Sequence, residues 1–294
     1  MKIILSRKGF DSSAGGYPSP ILDGKRLISF PIPENPKSIE GYNGLDNKYS
    51  SLRVNDNMSY LELMHQLLPK KKKLILEENK FDLDEDPICH FDPQINSSQN
   101  CHNNSKYIGM FGQSGAANSH LRKTYKVSDS DGDLFLFFGW FRDTQKINGE
   151  YKYIPGTDKH VIWGWLQIDS IHNVTEKDKD NNDFNKHPHV WKTGDKDNNS
   201  IYLSKEKLSF NDNLPGAGIF PFHKSLVLTK KGMTRSKWDL EPFFKGKISY
   251  HNEKNFKADY FQSASRGQEF VIEANDQIME WVYEKFNTLK KSNN

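Results

Sequence analysis

Cysteine is nearly missing from this sequence: Cys89 and Cys101 are the two among 294 residues, too few for a disulfide framework. Long apolar runs are missing as well. No stretch approaches the roughly 18 to 20 apolar residues that cross a bilayer as a helix. The opening MKIILSRKG has three consecutive apolar residues before polar chemistry resumes, which does not read as a signal peptide. The expected location is cytoplasmic, with no membrane partner. An excess of one charge is lacking too, since 41 basic residues face 38 acidic ones for a net charge of +3. That excludes a general polyanion-binding surface while allowing a local basic patch. No Walker or dinucleotide fingerprint and no internal repeat is visible.

What is present is enough for a core, with 35% hydrophobic and 13% aromatic residues. Asn, Asp and Lys gather in a few stretches between apolar segments, the pattern of a globular chain with long polar insertions. Apolar patterning predicts strands over residues 2–5, 26–30, 134–141, 160–168, 200–203 and 225–229. Helical spacing predicts helices over 60–68 and 275–291, the latter with Ile278, Trp281, Val282, Phe286 and Leu289 on one face. Together these predict a single α+β domain over 1–294, with a mixed or mostly antiparallel β core and flanking helices. Polar insertions are expected near 94–106, 143–159 and 170–199. The pair 134–141 and 160–168, joined by what reads as a long hairpin loop, is similar in patterning to PUA-like modules.

Chemistry gathers in a few places. After the first strand, Arg7 and Lys8 supply positive charge, Asp11 a carboxylate, and Ser12 and Ser13 hydroxyls, while Gly9, Gly15 and Gly16 permit close approach of backbone to a ligand. The same residues also suit a brace in which Arg7 pairs with Asp11 and the glycines satisfy turns. In Cys89-His90-Phe91-Asp92-Pro93, alternation along an extended chain puts His90 and Asp92 on one face, as an acid/base pair or as ligands with Asp84 and Asp86. The echo in Cys101-His102 has no standard zinc spacing, so no metal is expected. His187-Pro188-His189 could bind a metal but has no nearby acidic or thiol partner of obvious geometry, and reads as a surface feature of an exposed excursion.

Gly112, Gln113 and His120 belong to a glycine-bearing loop entering a helix, which suits either an anion or tight Gly/Ala packing. Trp140 and Trp163 could stack on a base, with Arg142 beside them. Near the end of the chain, Arg266 could clamp a phosphate, Gln268 read a base edge and Glu269 move a proton. Alternatively, Arg266 and Glu269 form a structural pair. The run Lys70 to Lys73 reads as a solvated helix end. Asp11, His90, Asp92 and Glu269 are thus the candidate catalytic groups; no cofactor can be named.

The segments SRKGFDSSAGGYPSPI, HFDP, GQSGAANSHL, GDLFLFFGWFR, HVIWGWLQI and QSASRGQEFV, in that order, resemble the third type of nucleotide-modification-associated domain. The resemblance implies a link to modified nucleotides in bacterial or phage DNA-modification or defence systems. Nucleotide or DNA, and other proteins of such a system, would be the partners. It carries no established catalytic residue across. Three functions follow as expectations: an enzyme acting on a nucleotide or DNA base, a non-catalytic reader of modified bases, and an NAD-consuming or ADP-ribosyl-transferring activity. Convergence of Arg7, Asp11, His90, Arg266 and Glu269 on one pocket would favour the first.

Overall fold

The computed structural model describes residues 1–35, 47–68, 73–95, 109–192, 198–264 and 269–290. A ten-stranded sheet organises them. In chain order its strands are Lys2–Arg7 (β1), Ser19–Leu22 (β2), Arg26–Leu27 (β3), Met110–Ser114 (β4), Leu134–Ile147 (β5), Glu150–Tyr153 (β6), Lys159–Asn173 (β7), Asn199–Ser204 (β8), Ala217–Ile219 (β9) and Glu269–Glu273 (β10). The path runs β10-β1-β5-β7-β8-β4, with β6 and β2 also on β5, β9 on β7 and β3 on β2. β1 and β2 run parallel to β5, and the other pairings are antiparallel. Four α-helices occur among the described residues: Tyr60–Leu67 (α1), Gly115–Ser119 (α2), Pro188–Trp191 (α3) and Asp276–Lys290 (α4). The fold is therefore α+β around a mixed sheet, as the patterning predicts.

The unbroken apolar run of β5 is covered on both faces, and Leu134 to Phe138 are wholly buried. β7 pairs with it from Lys159↔Phe141 to Gln167↔Leu134, and a bulge at Trp163 shifts the register between Ile162 and Gly164. The expected long hairpin loop after β5 is instead more sheet. β5 continues to Ile147 and returns as β6 through Asn148-Gly149, both at positive φ (52° and 85°), the two-residue turn that matches strand twist.

Three other expectations change. The strand over 26–30 shortens to Arg26–Leu27, ahead of Pro31. Residues 225–229 form a 3₁₀ turn at Lys224–Leu226 and isolated bridges rather than a strand. The stretch 170–199 is not wholly an exposed excursion: β7 runs to Asn173, and Phe184 and Val190 pack with Met110, Ile201 and Leu203 in a small core of their own.

α1 begins with a capping box, in which Ser59 Oγ accepts from Glu62 N–H and Glu62 Oε2 accepts from Ser59 N–H. Its buried Tyr60, Leu63, Met64 and Leu67 pack with Phe10 and Phe30 in a second core. α4 lays Ile278, Trp281, Val282 and Phe286 on the main core, with Phe286 5.3 Å from Trp165 and 5.1 Å from Phe220 between ring centroids.

One consequence of this topology positions the site. β1 and β2 occupy successive stretches of the same edge of β5, with Arg7 opposite Phe138 and Ser19 opposite Phe141. The eleven residues between them, 8 to 18, must leave the sheet and return to the same edge. The loop that bulges out there is the polar, glycine-rich segment after β1.

Candidate functional site

Asp11 shapes that loop. Its Oδ1 accepts from Ser13 N–H (2.7 Å), Ser13 Oγ–H (2.8 Å) and Ala14 N–H (2.8 Å), an aspartate-closed turn. Gly15 follows at φ 82°, where a Cβ would stand 2.2 Å from the buried Phe10 ring. Gly15 N–H donates to Ile75 O (2.6 Å) and Phe10 N–H to Phe30 O (2.9 Å), which ties the loop to its neighbours.

Two cavities open against the loop. The first, about 580 Å³, is lined by Arg7, Lys8, Asp11, His90, Asp92 and Gln113, with Gly112, Ser13, Glu34, His189 and Lys192 around them. The second, about 720 Å³, is lined by Ser12, Trp140, Arg142, Asp158, His160 and Arg235. Arg7, Asp11 and Ser13 line both. Arg7 Nη2 donates to Ala264 O (2.7 Å), and its guanidinium lies 5.7 Å and 5.8 Å from the Phe138 and Phe270 ring centroids. In the second cavity Arg142 grips Asp158 through both oxygens at 2.9 Å. Arg235 lies 3.9 Å over the Trp140 ring, whose indole N–H donates to Asp158.

The deepest chemistry lies in the first cavity. Asp92 Oδ1 accepts from Gly112 N–H (2.9 Å) and lies 3.2 Å from His187 Nε2, while Oδ2 lies 4.0 Å from His189 Nε2. Asp92, His187 and His189 side chains are all nearly closed to solvent. Burial alone would raise the Asp92 carboxyl; contact with His187 and the nearby His189 and His90 outweigh it and hold it down at about 2. His90 shows a similar contest: burial lowers it, and its close ion pair with Glu34 more than compensates.

The hydrogen bonds fix which ring nitrogen does what. His189 Nδ1 meets Asn199 Oδ1 at 2.7 Å, while Asn199 Nδ2 donates to the His189 carbonyl at 2.7 Å, so the amide clamps the residue from both sides. His187 Nδ1 accepts from His189 N–H (3.3 Å), which turns its Nε2–H towards Asp92. Gly112 leaves room for both rings: a Cβ there would stand 2.3 Å from His189 Cδ2 and 2.7 Å from His187 Cε1.

A family model, nucleotide modification associated domain 3, matches residues 2–273. The chain belongs to that family. No match was found among curated proteins or solved structures. The matched span of the nucleotide modification associated domain holds both cavities and ends ahead of α4.

Within that domain, Arg7, Lys8, Asp11, Ser13, His90, Asp92, Gly112 and Gln113 come together around the first cavity, and Ser12, Trp140 and Arg142 around the second. Glu269 stands behind the first cavity, fully buried, its Oε1 accepting from Lys8 Nζ (3.0 Å) and Gln113 Nε2 (2.7 Å). Its Oε2 has no hydrogen-bond partner among the described residues. His120 lines neither cavity; it stacks on Tyr250 at 4.1 Å and bonds Ser249 Oγ at 3.1 Å. Trp163 is 4% exposed and lines neither cavity; the void of about 20 Å³ that it borders is too small for a base to stack there. Arg266, Gln268, Cys101 and His102 lie outside the described residues. Asp84 and Asp86 line neither cavity, and Asp86 accepts from Ser50.

Sequence reasoning missed His187, His189, Glu34, Asn199 and Arg235. His187-Pro188-His189 reads as a surface accident because its partners are remote in the chain; instead it is buried against Asp92. The available signal was two histidines beside Val190 and Trp191 inside an otherwise Lys/Asp/Asn-rich stretch.

Proposed function

We propose that this protein is an enzyme that modifies a nucleotide or nucleic-acid base, with the reacting group in the cavity at Asp92. The observation that carries the reading is convergence. The loop after β1, the His90–Asp92 segment, β4 and α3 all bring polar side chains to one cavity of about 580 Å³, a size that suits a nucleotide base. The second cavity supplies the other half of such a substrate. Three guanidiniums (Arg7, Arg142, Arg235) face two carboxylates (Asp11, Asp158) there, leaving one net positive charge to draw a phosphate. Trp140 forms an aromatic wall beside them. Asp92, held ionised, and the partly buried His90 are the groups placed to move a proton or orient a reactant. Glu269 acts on Lys8 and Gln113 from behind. The family's link to nucleotide modification points the same way, and a bacterial or phage DNA-modification or defence system is the setting this reading fits.

The test is mass spectrometry of digested DNA, RNA and free nucleotides from cells making the wild-type protein or Asp92→Asn. A nucleoside of altered mass should appear with the wild type and vanish with the variant, whose thermal midpoint is checked separately. Absence of any altered nucleoside in all three pools would sink the enzyme reading. Binding to modified over plain DNA without turnover would put a base reader in its place.

A further inference from the structure

We propose that His90, Asp92 and His189 bind a divalent transition-metal ion whose remaining coordination positions open into the 580 Å³ cavity. One ligand atom from each of the three residues lies within 4.8 Å of the other two. Ligands about 2.0 to 2.2 Å from a shared metal stand roughly 3 to 3.5 Å apart at right or tetrahedral angles. His189 Nε2 and Asp92 Oδ2, facing each other at 4.0 Å, are too distant to hydrogen-bond and need close by less than about 1 Å to share an ion. The ligand atoms of the other two pairs lie within 4.8 Å, so closing the site takes shifts of up to about 1 to 2 Å, within the reach of side-chain rotation.

The surroundings of the three residues strengthen the case. A metal-bound histidine characteristically donates its second ring N–H to a carboxylate or carbonyl oxygen, which fixes the tautomer and aims the other nitrogen at the ion. His189 has that arrangement with Asn199 Oδ1, and His90 with the Glu34 carboxylate, both through Nδ1. In each ring Nε2 is left as the ligand atom, and a metal displaces any proton it carries. Asp92 is aimed in the same manner. Gly112 N–H and His187 Nε2 both approach Oδ1, leaving Oδ2 on the side of His189.

Among the described residues the donor set is two imidazoles and one carboxylate, and Cys89 is engaged elsewhere, its Sγ–H on Asn47 O at 3.0 Å. Such a set suits Fe(II), Mn(II), Co(II) or Zn(II). With three protein ligands, positions remain for water or substrate. Lys192, whose Nζ donates to the neutral Ser114 Oγ, lines the same cavity, placing positive charge where an anionic co-ligand would enter. The spacing of Cys89-His90 and Cys101-His102 gave no zinc pattern because the third ligand comes from α3, across the fold.

The metal-stripped full-length protein is titrated with Co(II) and with Zn(II), bound metal is counted by mass spectrometry, and Co(II) spectra are recorded. One equivalent per chain should bind. Proton NMR of the Co(II) form should show two hyperfine-shifted, solvent-exchangeable signals, the Nδ1–H protons of His90 and His189. His90→Ala and His189→Ala should each weaken Zn(II) binding about a hundredfold or more, whereas His120→Ala should leave it unchanged. The NMR signature is read on the wild type, so a variant that fails to fold does not decide the matter. Failure to bind an equivalent, or binding without the two exchangeable signals, overturns the proposal. The two readings fail separately: metal binding without an altered nucleoside leaves this site standing and removes the enzyme, and an altered nucleoside from metal-free protein does the reverse.

Discussion

His160 sits where a charge cannot be held. Burial, then the guanidiniums of Arg7 and Arg235, keep its imidazole well below the ordinary histidine value, and its Nδ1 accepts from Trp238 Nε1–H at 3.0 Å. The folded chain therefore keeps His160 neutral, while the unfolded chain takes up a proton below about pH 6.5. The stability this arrangement contributes is fully present above that pH. It is lost as pH falls towards the folded value, at up to about 1.4 kcal/mol per pH unit. Urea denaturation at pH 7.5, 6.5 and 5.5 should show His160→Gln losing less stability than the wild type across the lower interval; equal losses would refute the assignment. Single residues were legible where the chain is locally regular. His90 and Asp92 declare themselves by alternation, because an extended segment turns positions two apart to one side. His189 does not, since what makes it part of the site is Asp92 and Asn199, supplied by other segments.

The opening loop is an element in its own right, and Asp11 closes it with three hydrogen bonds. The two readings of its sequence, ligand wall and internal brace, meet only in part: Asp11 braces the loop through Ser13 and Ala14 rather than through the expected pair with Arg7, whose Nη2 donates to Ala264 O, and the braced loop lines two cavities. Asp11→Ala should cost about 1 kcal/mol and speed hydrogen exchange at the Ser13 and Ala14 amides, with β1 and β5 amides unaffected. Uniform acceleration would mean that the loop is not an independent unit. Other elements show why local pattern carries only so far. α1, α4 and strands β1, β5, β7 and β8 follow from periodicity and from apolar runs, though their ends moved. β6 was hidden because its polar residues sit on an edge hairpin, where exposure removes the hydrophobic signal. Asn148-Gly149 was still there to be read as a turn. The buried part of 170–199 was hidden because a few apolar residues in a polar stretch suffice to dock a short helix.

At the scale of the molecule, the sheet order decides the site, and local pattern does not contain it. β10 pairs with β1 and joins the two ends of the sheet-forming chain, and β1 lies parallel to β5. The first of these pairings places Glu269 beside Lys8, and the bridge Pro33↔Cys89 with the bond from His90 N–H to Ile32 O sets the position of His90. The likeness of the central strand pair to PUA-like modules rests on that pair's patterning alone. α4 raises a different question of scale, because the family match ends at residue 273 while α4 spans Asp276–Lys290. The helix is nevertheless part of the core. Ile278, Trp281, Val282 and Phe286 are each at most 7% exposed, and burying a large apolar side chain contributes roughly 1.5 to 3 kcal/mol. Four of them amount to about 6 to 12 kcal/mol as an upper bound, comparable with the whole stability of an ordinary domain. Removing α4 would also uncover Trp165, Phe220 and Phe244, which its aromatic residues touch. A chain ending at residue 275 should lose its cooperative thermal transition and expose dye-binding apolar surface. A cooperative melt close to that of the full chain would show instead that residues 1–275 hold their core, and with it the site, without α4.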